Sequence, residues 1–292
     1  MKPPPFEYFD PRTIREAVSL LREHEGEAKI LAGGQSLLPL LNMRLARPEV
    51  LVDLNKVDGL DYIREADGWL AIGAMTRQRD VERSELVKSR NPLLHAAILS
   101  IGHPQIRNRG TVGGTLAHAD PAADVVATAV ALGAEVQAVG PEGERTIKAE
   151  DFFVTALTTA LEPTEILREA RFPALPRGSG WSFMDVARRH GDFALAGAAV
   201  TLTLGGGGNC SGASIVVFGV TPTPLKASEA EQLLIGEKPG EKLFEEAGRK
   251  ASEAIDEPMA DIHASAEFRQ HLAKVLTRRA LAEAAARARG MA

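Results

Sequence analysis

Apolar and polar residues follow two different periods near the start of the chain. Behind Thr13, apolar side chains recur at helical spacing, which predicts an amphipathic helix over 14–24 with Thr13 as its cap. Short apolar runs at 28–31 and 50–54 predict buried strands, and 37–45 predicts a helix between them. A strand, a glycine turn, a helix and a second strand in close succession are typical of a nucleotide-binding unit.

The rest of the chain carries the same two patterns. Strands are predicted at 69–73, 135–139, 166–172, 199–204 and 213–220, and helices at 76–87, 92–101, 121–132, 228–234, 242–255 and 265–289. A glycine-rich run separates the last two strands, so we expect these strands to form a hairpin. There is no internal repeat.

A proline- and glycine-rich segment marks the clearest boundary. The nine residues FPALPRGSG, at 172–180, carry two prolines and two glycines and are interpreted as a linker. We therefore predict an N-terminal subdomain at 1–58, a second subdomain at 59–173 and a C-terminal domain at 178–292.

Two glycine turns point to an anionic ligand. The first is Ala32-Gly33-Gly34-Gln35-Ser36 and the second is Thr111-Val112-Gly113-Gly114-Thr115. Glycine leaves its N–H uncovered, consecutive N–H groups form an anion nest, and a following helix adds positive dipole. A single Gly-Gly turn is often only structural, and Ser36 either caps the next helix or donates to phosphate. Two turns can grip a diphosphate from both sides, which predicts a dinucleotide in a cleft between the two subdomains.

The long polar segment 101–124 leaves several roles open. Arg107 and Arg109 either face the diphosphate or bind loop carbonyl groups. Asp124 either accepts from a cofactor hydroxyl or only compensates a helix dipole. His103 is expected to bond to backbone, with a direct cofactor contact as the second interpretation.

A metal site in the same segment is disfavoured. His118, Asp120 and Asp124 have no spacing with a defined coordination geometry, and no second histidine lies nearby. The dinucleotide fingerprint G-x-G-x-x-G and the P-loop are both missing from the chain, including the run GGGGNCSG at 205–212. We interpret that run as a mobile hairpin tip.

Cysteine content limits the redox groups that the chain can hold. Cys210 is the only cysteine, and we expect an exposed, incidental thiol in the hairpin tip. One thiol cannot form an internal disulfide or hold an iron–sulfur cluster, which needs about four cysteines. Any such cluster must therefore sit on another chain.

Composition excludes several classes of function. Of the 292 residues, 45% are hydrophobic and 25% charged, which is typical of a globular protein. The net charge of -5 and the 5% aromatic content argue against nucleic-acid binding. The start MKPPPFEYFDP has no apolar secretory core, and no apolar run reaches the roughly 18 residues of a membrane span. We expect a cytoplasmic protein without a transmembrane segment.

Several motifs together resemble one known family. AGGQSLLPLLNMR at 32–44, IGHPQIRNRGTVGG at 101–114 and HADPAAD at 118–124 are similar to the FAD-binding medium subunit of the molybdenum hydroxylases. That family includes aerobic carbon monoxide dehydrogenases and bacterial xanthine dehydrogenases. The stretches 182–200 and 264–281 resemble the C-terminal domain of the family, so the resemblance covers the whole chain.

The resemblance implies a fold and a set of site residues. The fold is α+β, with the two-subdomain FAD-binding arrangement of the vanillyl-alcohol oxidase and cresol methylhydroxylase type and a C-terminal domain of antiparallel sheet and helices. FAD is expected to bind noncovalently, with both turns around its diphosphate. The resemblance places these residues at the cofactor: Ala32, Gly33, Gly34, Gln35, Ser36, Thr111, Gly113, Gly114, Thr115, Asp124 and Leu167. Met184 stands where some relatives carry a lysine near the flavin, so no such role is assigned.

The resemblance also implies a function and partners. We expect the flavin subunit of an oxidoreductase that takes electrons from two [2Fe–2S] clusters on a small subunit and passes them to an external acceptor. Substrate oxidation would occur on a molybdopterin-containing large subunit, within a dimer of heterotrimers. No side chain of this chain is expected to act as a catalytic acid or base, and no metal is expected. The alternatives are a self-standing FAD-dependent oxidoreductase on the same fold and a non-catalytic FAD-binding module.

Overall fold

A three-stranded parallel sheet forms the first unit of the fold. The structure is a computed structural model that describes residues 2–290. In chain order the elements of this unit are β1 (Glu7–Phe9), α1 (Ile14–Glu23), β2 (Ala28–Leu31), α2 (Leu37–Asn42) and β3 (Val50–Asp53). The strand order is β1-β3-β2, so the glycine turn after β2 lies at the carboxyl edge of the sheet. The predicted cap of the first helix is confirmed: the Thr13 hydroxyl accepts from the Glu16 amide, and the Glu16 carboxylate accepts from the Thr13 amide.

A five-stranded antiparallel sheet forms the second unit. Its strand order is β4-β5-β10-β6-β7, and a two-stranded β8-β9 hairpin stands beside it. The elements are β4 (Ile63–Ala66), β5 (Trp69–Gly73), α3 (Gln78–Arg83), α4 (Glu85–Arg90), α5 (Pro92–Ser100), α6 (Pro104–Arg107), α7 (Val112–His118), α8 (Asp124–Leu132), β6 (Glu135–Gly140), β7 (Gly143–Lys148), α9 (Ala149–Phe152), β8 (Phe153–Thr155), β9 (Thr158–Thr159) and β10 (Ile166–Pro173).

A four-stranded antiparallel sheet with three helices forms the third unit. Its strands follow one another in the order β11-β12-β13-β14, and the predicted hairpin is confirmed by the pairing of β12 with β13. The elements are β11 (Ser179–Ala187), β12 (Ala194–Leu204), β13 (Cys210–Phe218), β14 (Leu225–Lys226), α10 (Ser228–Leu234), α11 (Glu241–Glu253) and α12 (Ala266–Ala288).

Helix α8 joins the second unit to the third. Its residues are almost all buried, and it packs on β12 and β13 as well as on its own sheet. The Gly219 amide donates to the carbonyl oxygen of Pro121, 2.9 Å away, just before this helix. The third unit therefore covers the start of α8, where Asp124 lies.

Two predicted helices begin or end elsewhere. The helix predicted over 76–87 is two helices, because Ser84 is extended (φ -77°, ψ 112°) and its hydroxyl accepts from the Val87 amide to start α4. The helix predicted over 121–132 begins at Asp124, because the carboxylate of Asp120 accepts from the Ala122 amide and closes a turn around Pro121.

The linker and the hairpin tip are also smaller than expected. Phe172 belongs to β10 and Ser179 to β11, so only 174–178 connects the two strands. Cys210 is not an exposed thiol: it begins β13, is 2% exposed, and its pKa is raised by burial. The interpretation of Cys210 as part of an exposed tip is therefore wrong.

No helix within 2–290 is both long and apolar enough to cross a membrane. The domain boundaries and the cytoplasmic location stay predictions.

Candidate functional site

The two predicted glycine turns are in contact with each other. A Cβ atom on Gly33 would lie 2.3 Å from the carbonyl oxygen of Arg109 and 2.9 Å from the Cα of Gly110. A Cβ atom on Gly114 would lie 3.4 Å from the Cβ of Ala32. Because no side chain fits at Gly33 without displacing backbone, only glycine permits this contact. The structure therefore brings together two motifs that lie far apart in the sequence.

The first turn presents free backbone amides. The N–H groups of Gly34, Gln35 and Ser36 donate to no acceptor within residues 2–290. Gly34 has a φ of +74°, the left-handed geometry that turns successive amides toward one side. Of the two roles weighed for Ser36, capping is not observed, because its hydroxyl accepts no hydrogen bond from α2. The first turn is an open anion nest with a free hydroxyl beside it.

The second turn has already used most of its amides, contrary to the sequence-based expectation. Gly113 donates to the Ala74 carbonyl at 2.9 Å, and Gly114 donates to the Thr111 hydroxyl at 3.1 Å. The Thr115 amide donates to the Thr111 carbonyl. Only the Thr111 amide lacks an acceptor among the residues that the structure describes. The prediction of a second open nest is therefore wrong, and Thr111 is the amide that this turn can offer.

The glycines of the second turn serve packing. A Cβ on Gly113 would lie 2.5 Å from the Cβ of Ala74, and one on Gly114 would lie 2.6 Å from the Thr111 hydroxyl. Helix α7 can therefore approach the end of β5 only because Gly113 lacks a side chain, and Gly114 leaves room for the Thr111 hydroxyl. This close packing sets the position of the second turn against the first.

Thr115 directs its hydroxyl into the protein. The hydroxyl donates to the Thr111 carbonyl at 3.1 Å and accepts from Nε2 of Gln78 at 2.9 Å. Gln78 is 3% exposed, and its Oε1 has no hydrogen-bond partner among the described residues. To donate to a phosphate, the Thr115 hydroxyl would have to give up its bond to the Thr111 carbonyl.

Two residues next to the turns were missed in the sequence. Asn55 donates from Nδ2 to the Ala32 carbonyl at 3.0 Å, and Arg77 donates from Nη1 to the Arg109 carbonyl at 2.7 Å. Burial, followed by the positive charge of Arg109, lowers the pKa of Arg77. The sequence carries a signal for Asn55, because it lies two residues after β3, at the carboxyl edge of a parallel sheet. Arg77 carries no such signal.

Asp124 is a half-buried acid at the start of α8. Burial, and then the neighbouring charge of Asp185, raise its pKa to about 8. The pKa of Asp185 on β11 is likewise raised by burial. Asp124 forms no salt bridge within the described chain. A carboxyl group that keeps its proton near neutral pH can both donate to and accept from a ligand hydroxyl.

Leu167 lies in β10 and is only 4% exposed. Its side chain belongs to the largest hydrophobic core. A regular β-ladder is interrupted between Leu167 and Glu169, where the Arg168 carbonyl accepts from the Ala74 amide. Leu167 therefore offers a cofactor only a small contact surface.

The two arginines of the polar segment have separate roles. Arg107 is buried, and its Nε donates to Glu82 at 2.8 Å while its Nη1 donates to the Ile101 carbonyl at 2.6 Å. Of the two roles considered, Arg107 therefore holds the loop. Arg109 is exposed, and its carbonyl group is the one that Gly33 contacts.

Neither His103 nor His118 nor Met184 belongs to a further ligand or metal site among the described residues. The ring of His103 stacks at 6.3 Å on that of His190 and makes no hydrogen bond within 2–290, so its expected backbone bond is absent. Met184 packs against the hydrophobic core of the third unit. Among residues 2–290, no group of three or more His, Cys, Asp or Glu side chains is arranged to hold a metal, including His118 and Asp120.

Comparison with protein families gives two matches that together cover nearly the whole chain. Residues 4–175 match the FAD binding domain in molybdopterin dehydrogenase. Residues 181–284 match the CO dehydrogenase flavoprotein C-terminal domain.

Similar proteins come from several dehydrogenases. The 6-hydroxypseudooxynicotine dehydrogenase complex subunit alpha of Paenarthrobacter nicotinovorans is 43% identical over 99% of this chain and 97% of its own length. The carbon monoxide dehydrogenase medium chain of Afipia carboxidovorans is 42% identical over 99% of this chain and 100% of its own. A solved structure of carbon monoxide dehydrogenase from Hydrogenophaga pseudoflava superposes with a TM-score of 0.95 at 41% identity, covering 98% of this chain and 99% of the other.

Proposed function

Because the chain belongs to the FAD-binding medium subunits of the molybdenum hydroxylases, we propose that it takes electrons from [2Fe–2S] clusters of a partner subunit and passes them to an external acceptor. The chain is the FAD subunit of an oxidoreductase, and FAD is its cofactor. Its fold is α+β, a FAD-binding region followed by a C-terminal domain. Bound FAD supplies the redox chemistry, and the residues of this chain bind and orient it.

One observation carries the assignment of the site: the open amides of the first turn lie against the second turn. A diphosphate is bound by several N–H donors that converge on it, and their spacing must be held by a rigid backbone. The amides of Gly34, Gln35 and Ser36 meet the first need, and the contact of Gly33 with Arg109 meets the second. We propose that the first turn donates to the diphosphate and that the Thr111 amide donates from the second.

The other residues expected at the cofactor receive roles from their places in the structure. Ala32, Gly113, Gly114 and Thr115 shape and support the two turns, whereas Asp124 is proposed to bond a cofactor hydroxyl. Leu167 is proposed to contact the cofactor through its backbone. No acid or base of this chain is proposed to take part in the redox step.

The proposed partners follow from what this chain lacks and from its relatives. Its single cysteine is buried in β13, and about four cysteines are needed for an iron–sulfur cluster. One relative is named a subunit of a dehydrogenase complex, and a related solved carbon monoxide dehydrogenase is described as lacking the Mo-pyranopterin moiety of the molybdenum cofactor. We propose a large subunit with molybdopterin, a small subunit with two [2Fe–2S] clusters, and a dimer of such heterotrimers.

Co-purification of the native assembly tests this proposal. The chain, tagged at one end, is isolated from the organism that produces it, and subunits, FAD, iron and molybdenum are quantified. We expect three polypeptides in equal amounts, with molybdenum and about four iron atoms per FAD. A yellow chain that purifies alone and oxidises a small substrate would instead establish a self-standing oxidoreductase. A yellow chain that exchanges no electrons with any cluster protein would favour a non-catalytic module.

A further inference from the structure

A chain of hydrogen bonds that involve side chains connects the two glycine turns. It begins at Asp53, passes through Asn55 and Arg77, and ends at the carbonyl group of Arg109. We propose that Asn55 and Arg77 are positioning residues that set the spacing of the two turns and thereby the affinity for the FAD diphosphate. The proposal rests on the assignment of both turns to FAD.

Asn55 holds the first turn through its side-chain amide. The Asp53 carboxylate accepts from the Asn55 amide at 2.8 Å, which anchors the backbone of Asn55 just after β3. The Asn55 side chain then donates from Nδ2 to the Ala32 carbonyl at 3.0 Å and accepts at Oδ1 from Arg77. One side-chain amide therefore serves a donor and an acceptor role at once. An aspartate of the same shape cannot donate to the Ala32 carbonyl.

Arg77 holds the loop that leads into the second turn. Its Nη1 donates to the Arg109 carbonyl at 2.7 Å, while its Nη2 donates to Asn55. The Arg109 carbonyl oxygen is the atom that a Cβ on Gly33 would meet at 2.3 Å. Arg77 therefore holds in place the surface on which the first turn rests. Its planar fork reaches two acceptors in different directions, which a lysine ammonium on a flexible stem does not reproduce.

The bonds of this network join the two subdomains at the turns rather than within a core. Asn55 is exposed and Arg77 half-buried, and each bonds a carbonyl oxygen of a turn or of the loop before it. Neither residue belongs to a hydrophobic core cluster. Loss of either should therefore change the relative position of the turns while the fold persists. A diphosphate bound between them requires that position to be held closely.

Asn55→Asp and Arg77→Lys test the proposal with the full chain. Arg145→Lys is the matched control, because Arg145 makes a similar fork to Glu165 and a bond to the Ala160 carbonyl, away from the turns. The dissociation constant of FAD is measured by flavin fluorescence, and ADP competes as a probe that carries the diphosphate without the flavin. The urea midpoint of each FAD-free variant reports fold stability.

We expect both test variants to bind FAD and ADP at least about tenfold more weakly than the wild type, with urea midpoints no lower than that of Arg145→Lys. Unchanged affinity for FAD would overturn the proposal, as would weaker FAD binding with unchanged ADP binding. Full FAD affinity in Arg77→Lys would overturn the role given to the Arg77 fork, even if Asn55→Asp bound FAD weakly. A wild-type chain that binds neither FAD nor ADP would contradict the assignment of the turns instead.

Discussion

At the scale of the residue, the glycines of the two turns are required for different physical reasons. Gly34 is needed for its left-handed backbone, whereas Gly33 and Gly113 are needed because backbone or a methyl group lies within van der Waals distance. The sequence indicates that these glycines matter together. It does not indicate which atoms they face, because those atoms come from segments distant in the chain.

Gly33→Ala should separate the turns. The new Cβ would lie 2.3 Å from the Arg109 carbonyl oxygen, so the two loops must move apart, at a cost of about 1–3 kcal/mol. We expect FAD affinity to fall by about tenfold or more, measured by equilibrium fluorescence titration. Gly206→Ala is the control, since a Cβ there meets nothing within 4 Å. Equal affinities for the two variants would contradict the contact between the turns.

Asp124 links protonation to stability in the FAD-free protein. Its pKa is raised to about 8 on folding, mainly by burial and then by Asp185. The folded chain therefore keeps a proton that the unfolded chain has lost, and the stability contribution of Asp124 decreases as the pH rises from about 4 to about 8.

Asp124→Asn removes this pH dependence because the amide does not titrate. The variant should melt at nearly the same temperature as the wild type at pH 4 and roughly 10 °C higher at pH 9, measured by calorimetry without FAD. Parallel melting profiles for the two proteins across this range would show that Asp124 titrates normally.

At the scale of the element, the pattern of the sequence locates the strongly periodic segments. The strand at 69–73 and the helix at 228–234 are found where predicted, and the capping box at Thr13 fixes the start of α1. Short or edge strands such as β1 and β7 were missed, because mixed polar residues on an exposed ladder give no clear period. The break at Ser84 was missed because a serine cap inside an apolar pattern resembles an ordinary helical position.

The contact of α12 with β11 offers a prediction about elements. A Cβ on Gly180 would lie 1.8 Å from the Ala284 carbonyl oxygen, and Arg287 stacks on Trp181 at 3.7 Å beside it. Gly180→Ala should push the helix off the sheet and cost about 1–3 kcal/mol or more, seen as a lower urea midpoint.

The matched control for this change is Gly212→Ala on the same sheet, where the nearest atom to a new Cβ is 3.7 Å away. FAD affinity of Gly180→Ala should stay within about twofold of wild type, since the turns lie in other units. A large loss of FAD affinity would mean that the third unit contributes to the diphosphate site.

At the scale of the whole molecule, sequence motifs predict that two turns share one ligand, but not how they meet. The contact depends on a parallel sheet, an antiparallel sheet and a network through Asn55 and Arg77 that no local pattern encodes. The same limit explains why the sequence does not show that the Gly113 amide is already used: its acceptor, the Ala74 carbonyl, lies just after β5.

FAD should stabilise the whole chain by mass action. At a concentration about 1,000 times its dissociation constant, FAD should add about 4 kcal/mol to the free energy of unfolding, or about 10 °C in melting temperature. Differential scanning calorimetry with a series of FAD concentrations checks this. A melting temperature that stays constant as the FAD concentration rises would contradict an FAD site between the two subdomains.

The covered position of Cys210 has a practical consequence for spectroscopy. As the only sulfhydryl of the sequence is shielded within β13, a maleimide dye or nitroxide applied to the native protein should leave it unmodified. A second thiol introduced by Asn108→Cys, on the exposed loop before Thr111, would then carry the sole label and report on cofactor entry without background.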